Sequence, residues 1–217
     1  TVGGLDCPHD SWTDTEIVCT PAEASRYGTN LEVIVLTKDD KVTFQSPNPK
    51  LLSYRPPSIS SIAPASGTTK GGVATTIRGS DFGPASAVVS LLTVGSLAFT
   101  SVVHVDDSTI TAVTPPLTGT NNLKGLTVSL TIGGQTDTST YDYTTPTLTR
   151  IDLLARAIET NADGIPMVIY GTDFADVTPI DDTTDTRITI RARIGSTTFN
   201  CINVQRISFE KLQCDYP

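Results

Sequence analysis

The stretch Ile59-Ser60-Ser61-Ile62-Ala63-Pro64-Ala65-Ser66-Gly67, running on to Gly71-Gly72-Val73-Ala74-Thr75-Thr76-Ile77-Arg78-Gly79-Ser80-Asp81-Phe82-Gly83, decides how this chain folds. Ile59 and Ile62 anchor a short first strand, and Pro64, which has no N–H to give to a ladder, ends it. Gly67 and the Gly71–Gly72 pair mark backbone conformations closed to residues that carry side chains. Val73, Thr75 and Ile77 then alternate as a half-buried strand. Gly79 and Gly83 bracket a turn from which Phe82 folds back into a core.

Pieces of the same pattern occur three times, and a repeat governs the reading of everything else. Tyr54-Arg55-Pro56 and Tyr143-Thr144-Thr145-Pro146 each close one segment and open the next. They stand about 90 residues apart, the length of one small sandwich domain. Leu148 and Ile151 take the places of Ile59 and Ile62, and the run Gly164 to Phe174 repeats Gly72 to Phe82 without a gap. Small-residue turns recur at Val2-Gly3, Val94-Gly95 and Ile194-Gly195, and later landmarks at Cys19, Ala112 and Cys214. Counting back two from those landmarks gives Ile17, Ile110 and Leu212. Counting back seven gives Trp12, Val105 and Ile207. All six are expected to face inward.

These residues resemble the opening of an IPT/TIG domain, whose sequences read roughly I-x-x-I-x-P-x-x-G and then G-G-x-x-x-T-I-x-G-x-x-F. The resemblance implies an all-β chain of tandem immunoglobulin-like sandwiches. Its expected division is 1–56, the C-terminal part of one domain; 57–145, a complete domain; and 146–217, the N-terminal part of a third. The expectation is a window on a longer array whose incomplete ends are filled by adjoining material. The alternative is that flanking parts were cleaved or disordered.

Composition agrees with strands. Hydrophobic residues make up 38% of the chain, and about one residue in six is Thr, which suits pleated, half-buried surfaces. Leu153 to Glu159 has helical character, but its repeat position assigns it to a loop. No apolar run within these residues is long enough to span a bilayer. The net charge is −8, and phosphate binding needs clustered Lys and Arg. The nearest cluster, Arg187, Arg191 and Arg193, lies beside Asp181, Asp182 and Asp185, so nucleic acid is not an expected partner.

The four cysteines fall at equivalent repeat positions, Cys7 with Cys19 and Cys201 with Cys214, while the middle copy lacks both. Joint loss is what a bonded pair predicts. Spacings of about a dozen do not suit zinc, which favours C-x₂₋₄-C pairs. Two intradomain disulfides are expected, and with them an oxidising, extracellular or cell-surface compartment.

No catalytic constellation emerges, and neither enzyme activity nor a cofactor is expected. There is no G-x-S-x-G elbow, H-E-x-x-H or P-loop. Of two histidines, His9 lies in a Pro-His-Asp turn, and His104, beside Val105, is assigned to the outer face. Asp39-Asp40 and Asp106-Asp107 sit where hairpin turns are expected. Asp173, Asp176, Asp181, Asp182 and Asp185 offer enough oxygen ligands for calcium but lack the D-x-D-x-D-G spacing, and no metal is expected. Trp12, the sole tryptophan, is assigned to the core rather than to a sugar-stacking platform. None of the seven asparagines begins an N-x-[ST] sequon. The interdomain threonines Thr144, Thr145 and Thr147, flanking Pro146, are candidate O-glycosylation sites.

IPT/TIG domains occur in plexin-type receptors, in adhesion and surface proteins, in DNA-binding factors and beside some glycosidase catalytic domains. Acidity and paired cysteines disfavour the DNA class. The expected function is a non-catalytic extracellular structural or adhesive array, a stalk or filament, with further copies of the chain or adjoining repeats as partners. A cell-surface protein or glycan is a further partner class. The alternatives are a ligand-binding receptor ectodomain segment and a spacer in a secreted carbohydrate-active enzyme.

Overall fold

The computed structural model describes residues 1–23, 26–36, 43–44, 51–118, 123–153, 165–174, 190–194 and 197–216. The regular elements among them are β-strands. The first segment holds β1 (His9–Trp12), β2 (Ile17–Cys19), β3 (Leu31–Glu32), β4 (Val35–Leu36), β5 (Thr43–Phe44) and β6 (Leu51–Leu52). The middle segment holds β7 (Ser58–Ala63), β8 (Ser66–Gly67), β9 (Ala74–Ser80), β10 (Val89–Val94), β11 (Leu97–Ala98), β12 (Thr100–Asp106), β13 (Thr109–Val113), β14 (Leu126–Ile132) and β15 (Gln135–Tyr143). The last holds β16 (Thr147–Leu153), β17 (Ile165–Thr172), β18 (Arg191–Ile194), β19 (Thr197–Asn200), β20 (Ile202–Ser208) and β21 (Lys211–Tyr216). Two compact units result. One takes Thr1–Ala65, Ala74–Val113 and Thr127–Thr140, the other Ser66–Val73, Thr114–Leu126 and Tyr141–Pro217.

The middle segment forms two sheets, ordered β12-β13-β9-β7 and β11-β10-β14-β15-β8. The chain changes sheet between β7 and β8, across the cis Ala63–Pro64 peptide. Ile62, Ile77 and Ile110 stand side by side in register across β7, β9 and β13, and all three are buried. Ile59 lies three residues from Ile62, a spacing that alternation alone would put on opposite faces. A register shift between Ile59 and Ser61 rephases the strand, so Ile59 pairs with Gly79 and Ile62 with Ile77. Phe82 folds back as its sequence context predicts and is fully buried. A Cβ on Gly79 would collide with the Ser58 carbonyl oxygen and come within 2.5 Å of the Phe82 ring, so the pattern needs glycine there for room. Gly67 likewise serves close approach, since a Cβ would lie 2.9 Å from Val73 Cγ2; of Gly67, Gly71 and Gly72, the last two take positive φ, +72° and +76°. The middle segment is an immunoglobulin-like β-sandwich.

The last segment repeats this ladder strand for strand in a four-stranded sheet ordered β16-β17-β21-β20. Leu148 pairs with Gly171 and Ile151 with Ile169, with the same bulge between them. Asp81 and Asp173 both have φ +59°, while Ser101 and Asn203 have φ +50° and +52°. The Phe82 N–H donates to the Asp107 carbonyl at 3.0 Å, and the Phe174 N–H to the Phe209 carbonyl at 2.9 Å. Fragments of the ladder recur in the first segment. Val2 bridges Leu5 as Val94 pairs with Leu97. The Tyr54 N–H donates to the Gly28 carbonyl at 2.9 Å, as the Tyr143 N–H does to Leu123 at 2.7 Å.

Four inward assignments are corrected. Trp12, Ile17, Val105 and Ile207 are 72%, 47%, 47% and 50% exposed. In β12, His104 pairs with Ile110 and Asp106 with Thr109, which leaves Val105 as the extra residue of a bulge; Ile207 is its counterpart in β20. An inserted residue reverses the parity of a strand. His104, assigned outward, therefore shares the face of Ile110, and its ring nitrogens lie 3.0 Å from the Ala87 and Asp106 carbonyl oxygens. The first segment's hairpin is one residue shorter, so Trp12 pairs directly with Ile17. It corresponds to His104, not to Val105. Ile110 and Leu212 are buried as expected.

Candidate functional site

Each cysteine pair joins within its own segment. Cys7 bonds Cys19 and Cys201 bonds Cys214, with Cα–Cα distances of 5.6 and 5.8 Å, inside the usual disulfide range. Cys214 is fully buried among Met167, Ile169, Phe174 and Leu212. It pairs in register with Met167, as Ala112 pairs with Thr75 in the middle segment. The slot accepts either a bonded cysteine or an alanine.

The stretch after Tyr143 is bound tightly at its start. The Thr144 N–H donates to the Gly67 carbonyl at 2.8 Å, and its hydroxyl to the same oxygen at 3.3 Å. Thr147 and Thr172 share a hydroxyl hydrogen bond of 2.8 Å. Thr145 and Thr147 are exposed, whereas Thr144 is half-buried. The Asp173 carboxylate accepts the Thr69 N–H at 3.0 Å. Asp176, Asp181, Asp182 and Asp185 lie outside the described residues, as do Asp39-Asp40 and most of the 153–159 stretch. Among the described residues no three His, Cys, Asp or Glu side chains gather to hold a metal.

Carboxylates serve instead to fasten turns and strands. Asp106 accepts the Ser108 N–H and hydroxyl, both at 2.8 Å, in the β12–β13 hairpin. Those bonds hold its carboxyl below the usual range. Asp142 accepts the Gly125 N–H at 2.8 Å and pairs with Lys124 at 3.2 Å; the first contact, then the second, lowers its pKa. Asp137 reaches from β15 to the Ile59 N–H on β7, at 2.6 Å. Tyr141 and Tyr143 meet edge to face, with centroids 5.5 Å apart. The Tyr143 hydroxyl donates to the Pro115 carbonyl at 2.7 Å. Burial pushes both phenols up, Tyr143 to about 12, with the proximity of Tyr141 adding to the shift.

Exposed apolar side chains occur on the middle segment too, with Val88 65% and Val103 55% exposed, but on the flanking segments some stand at registers that the middle segment buries. Ile151 occupies the register of buried Ile62 but is 54% exposed, and Leu148 beside it is 66% exposed. Ile17 and Trp12 form an adjacent apolar pair in the first segment, in the register of Ile110 and His104. Sequence reasoning found these residues but not their exposure, because exposure depends on what lies opposite.

The arrangement defines an all-β immunoglobulin-like module built around a sandwich and two related flanking segments. The IPT/TIG domain profile matches residues 57–148, and that segment belongs to the IPT/TIG family. No curated protein matches the chain. Among solved structures, the plexin A4 full extracellular region (domains 1 to 10) is 18% identical over 98% of this chain and 17% of that one, with a TM-score of 0.38. A second plexin A4 structure, with domains 1 to 8, is 17% identical over 83% of this chain and 18% of that one, at a TM-score of 0.39. A structure with a xylogluco-oligosaccharide is 13% identical over 75% of this chain and 36% of that one, at 0.38. The chain thus spans less than a fifth of the plexin chains.

Proposed function

We propose that residues 1–217 are a run of three IPT/TIG copies, two of them partial, within a non-catalytic extracellular structural array that forms a stalk or filament. The observation that carries this reading is the shared ladder. The last segment reproduces the bulges, left-handed residues and turn hydrogen bonds of the IPT/TIG domain, and the first reproduces its hairpins. Ile169, Leu212 and Phe174 keep a buried core in the last segment, but Ile151 there and Ile17 in the first segment, the counterparts of buried Ile62 and Ile110, face solvent. Apolar area left in water costs about 25 cal/mol per Å², so these faces favour association with adjoining repeats or a further copy of the chain. Two disulfides support an oxidising compartment. Thr145 and Thr147, exposed beside Pro146, are the accessible candidates for O-glycosylation.

The sole tryptophan makes the test direct. Sedimentation over a wide concentration range should reveal self-association, and Trp12 emission should shift to shorter wavelength as its face is covered. A monodisperse monomer with solvent-exposed Trp12 emission at every concentration would rule out self-association through this face.

A further inference from the structure

We infer that the end of the middle domain carrying Gly83 and the Gly133–Gly134 turn is a seat for the Tyr27–Gly28 segment, and that this contact joins residues 1–56 to the domain as one rigid body. The inference rests on reading 1–56 as a body of its own. A Cβ placed on Gly133 would lie 2.5 Å from Gly28 Cα, 2.7 Å from Gly28 N and 3.0 Å from the Tyr27 ring. One on Gly83 would lie 2.9 Å from Tyr27 Cβ. At Gly133 main chain rests on the main chain of Gly28, while the Tyr27 side chain packs against both Gly133 and Gly83. Around the contact the polar groups close a circuit. Gln135 Nε2 donates to the Tyr54 carbonyl at 3.0 Å, and the Tyr54 N–H donates to the Gly28 carbonyl at 2.9 Å. Gly28 is buried in the contact. Two bodies joined only by a loose tether would need neither this approach nor these bonds.

The hairpin itself does not require glycine at 133. Gly133 and Gly134 have φ +58° and +78°, the left-handed pair that Asn-Gly fills as the favoured two-residue turn. Asparagine tolerates that conformation, so Gly133→Asn keeps the turn while driving a Cβ into Gly28. Gly134→Asn is the matched control, because its Cβ would meet only Thr29 Cγ2, at 3.8 Å.

Amide relaxation and residual dipolar couplings on the full chain separate the cases. The wild type and Gly134→Asn are expected to give one alignment tensor and one correlation time for 1–56 and the middle domain. Gly133→Asn should give two tensors with the hairpin shifts of the middle domain retained. Tyr27→Ala, which leaves the middle domain untouched, should loosen the joint in the same sense. Two tensors in the wild type, or a single tensor kept by both Gly133→Asn and Tyr27→Ala, would overturn the seat. Loss of dispersed amide signals from both regions together in Gly133→Asn would instead overturn their reading as separate bodies, and the seat with it.

Discussion

Replacing Ile62 and Ile151 by alanine, one at a time, probes the same register position in two settings. Each change removes three carbons, at about 0.8 kcal/mol per carbon when fully withdrawn from water. Ile62 is 7% exposed and lies beside Ile77, so nearly all of that transfer term is lost and a cavity remains. The expected cost is about 3 kcal/mol, within the range for buried Ile→Ala changes. Ile151 pairs with Ile169 in the same way but is 54% exposed. About half the transfer term is at stake and water fills the space, so about 1 kcal/mol is expected. Native-state hydrogen exchange reads the two segments separately through amides of β9 and β17, at a concentration where sedimentation gives a monomer. Equal costs for the two substitutions in the monomer would refute the claim that the Ile151 face is open. If the chain associates, the Ile151 cost should rise toward that of Ile62 as concentration increases, because the face is then covered.

Three further outcomes are expected. Cys201→Ala with Cys214→Ala should lower the stability of the last segment by about 3 kcal/mol, the loop-entropy value for a closed loop of about a dozen residues, measured by urea unfolding with and without reductant. Alanine fits the Cys214 slot, as Ala112 does in the middle domain, so a loss far above this would show that packing around the sulfur dominates. Asp137→Ala removes a charge-assisted bond to the Ile59 N–H and should cost about 1.5–3 kcal/mol; a change below about 0.5 kcal/mol in thermal melts would show that water replaces the carboxylate freely. In alkaline titration followed by phenolate absorbance, Tyr143 should resist ionisation until about pH 12. Its raised folded pKa makes its contribution to stability complete below pH 10 and lost as the pH climbs from 10 through 12, so full ionisation of all six tyrosines near pH 10 in the folded protein would contradict the burial described.

The strands, the repeat and the cysteine pairing were legible in the sequence because each rests on local chemistry. Alternation marks β9, proline ends β7, and cysteines at matching positions lie within reach across one hairpin. Even the odd spacing of Ile59 and Ile62 reappears in Leu148 and Ile151, where the same bulge accommodates it. Only the tertiary structure decided which side Trp12, Val105 and Ile207 face. A strand's parity holds only until a bulge or a shorter turn shifts it by one residue, and nothing beside Val105 in the sequence announces that shift. The fate of Ile17 and Ile151 also lay beyond the local pattern, because burial belongs to whatever packs opposite. Gly133 reads from sequence as half of a tight turn. Its approach to Gly28 could be seen only once residues a hundred positions apart had been brought together, since contact at that range is set by packing and not by the preference of either residue.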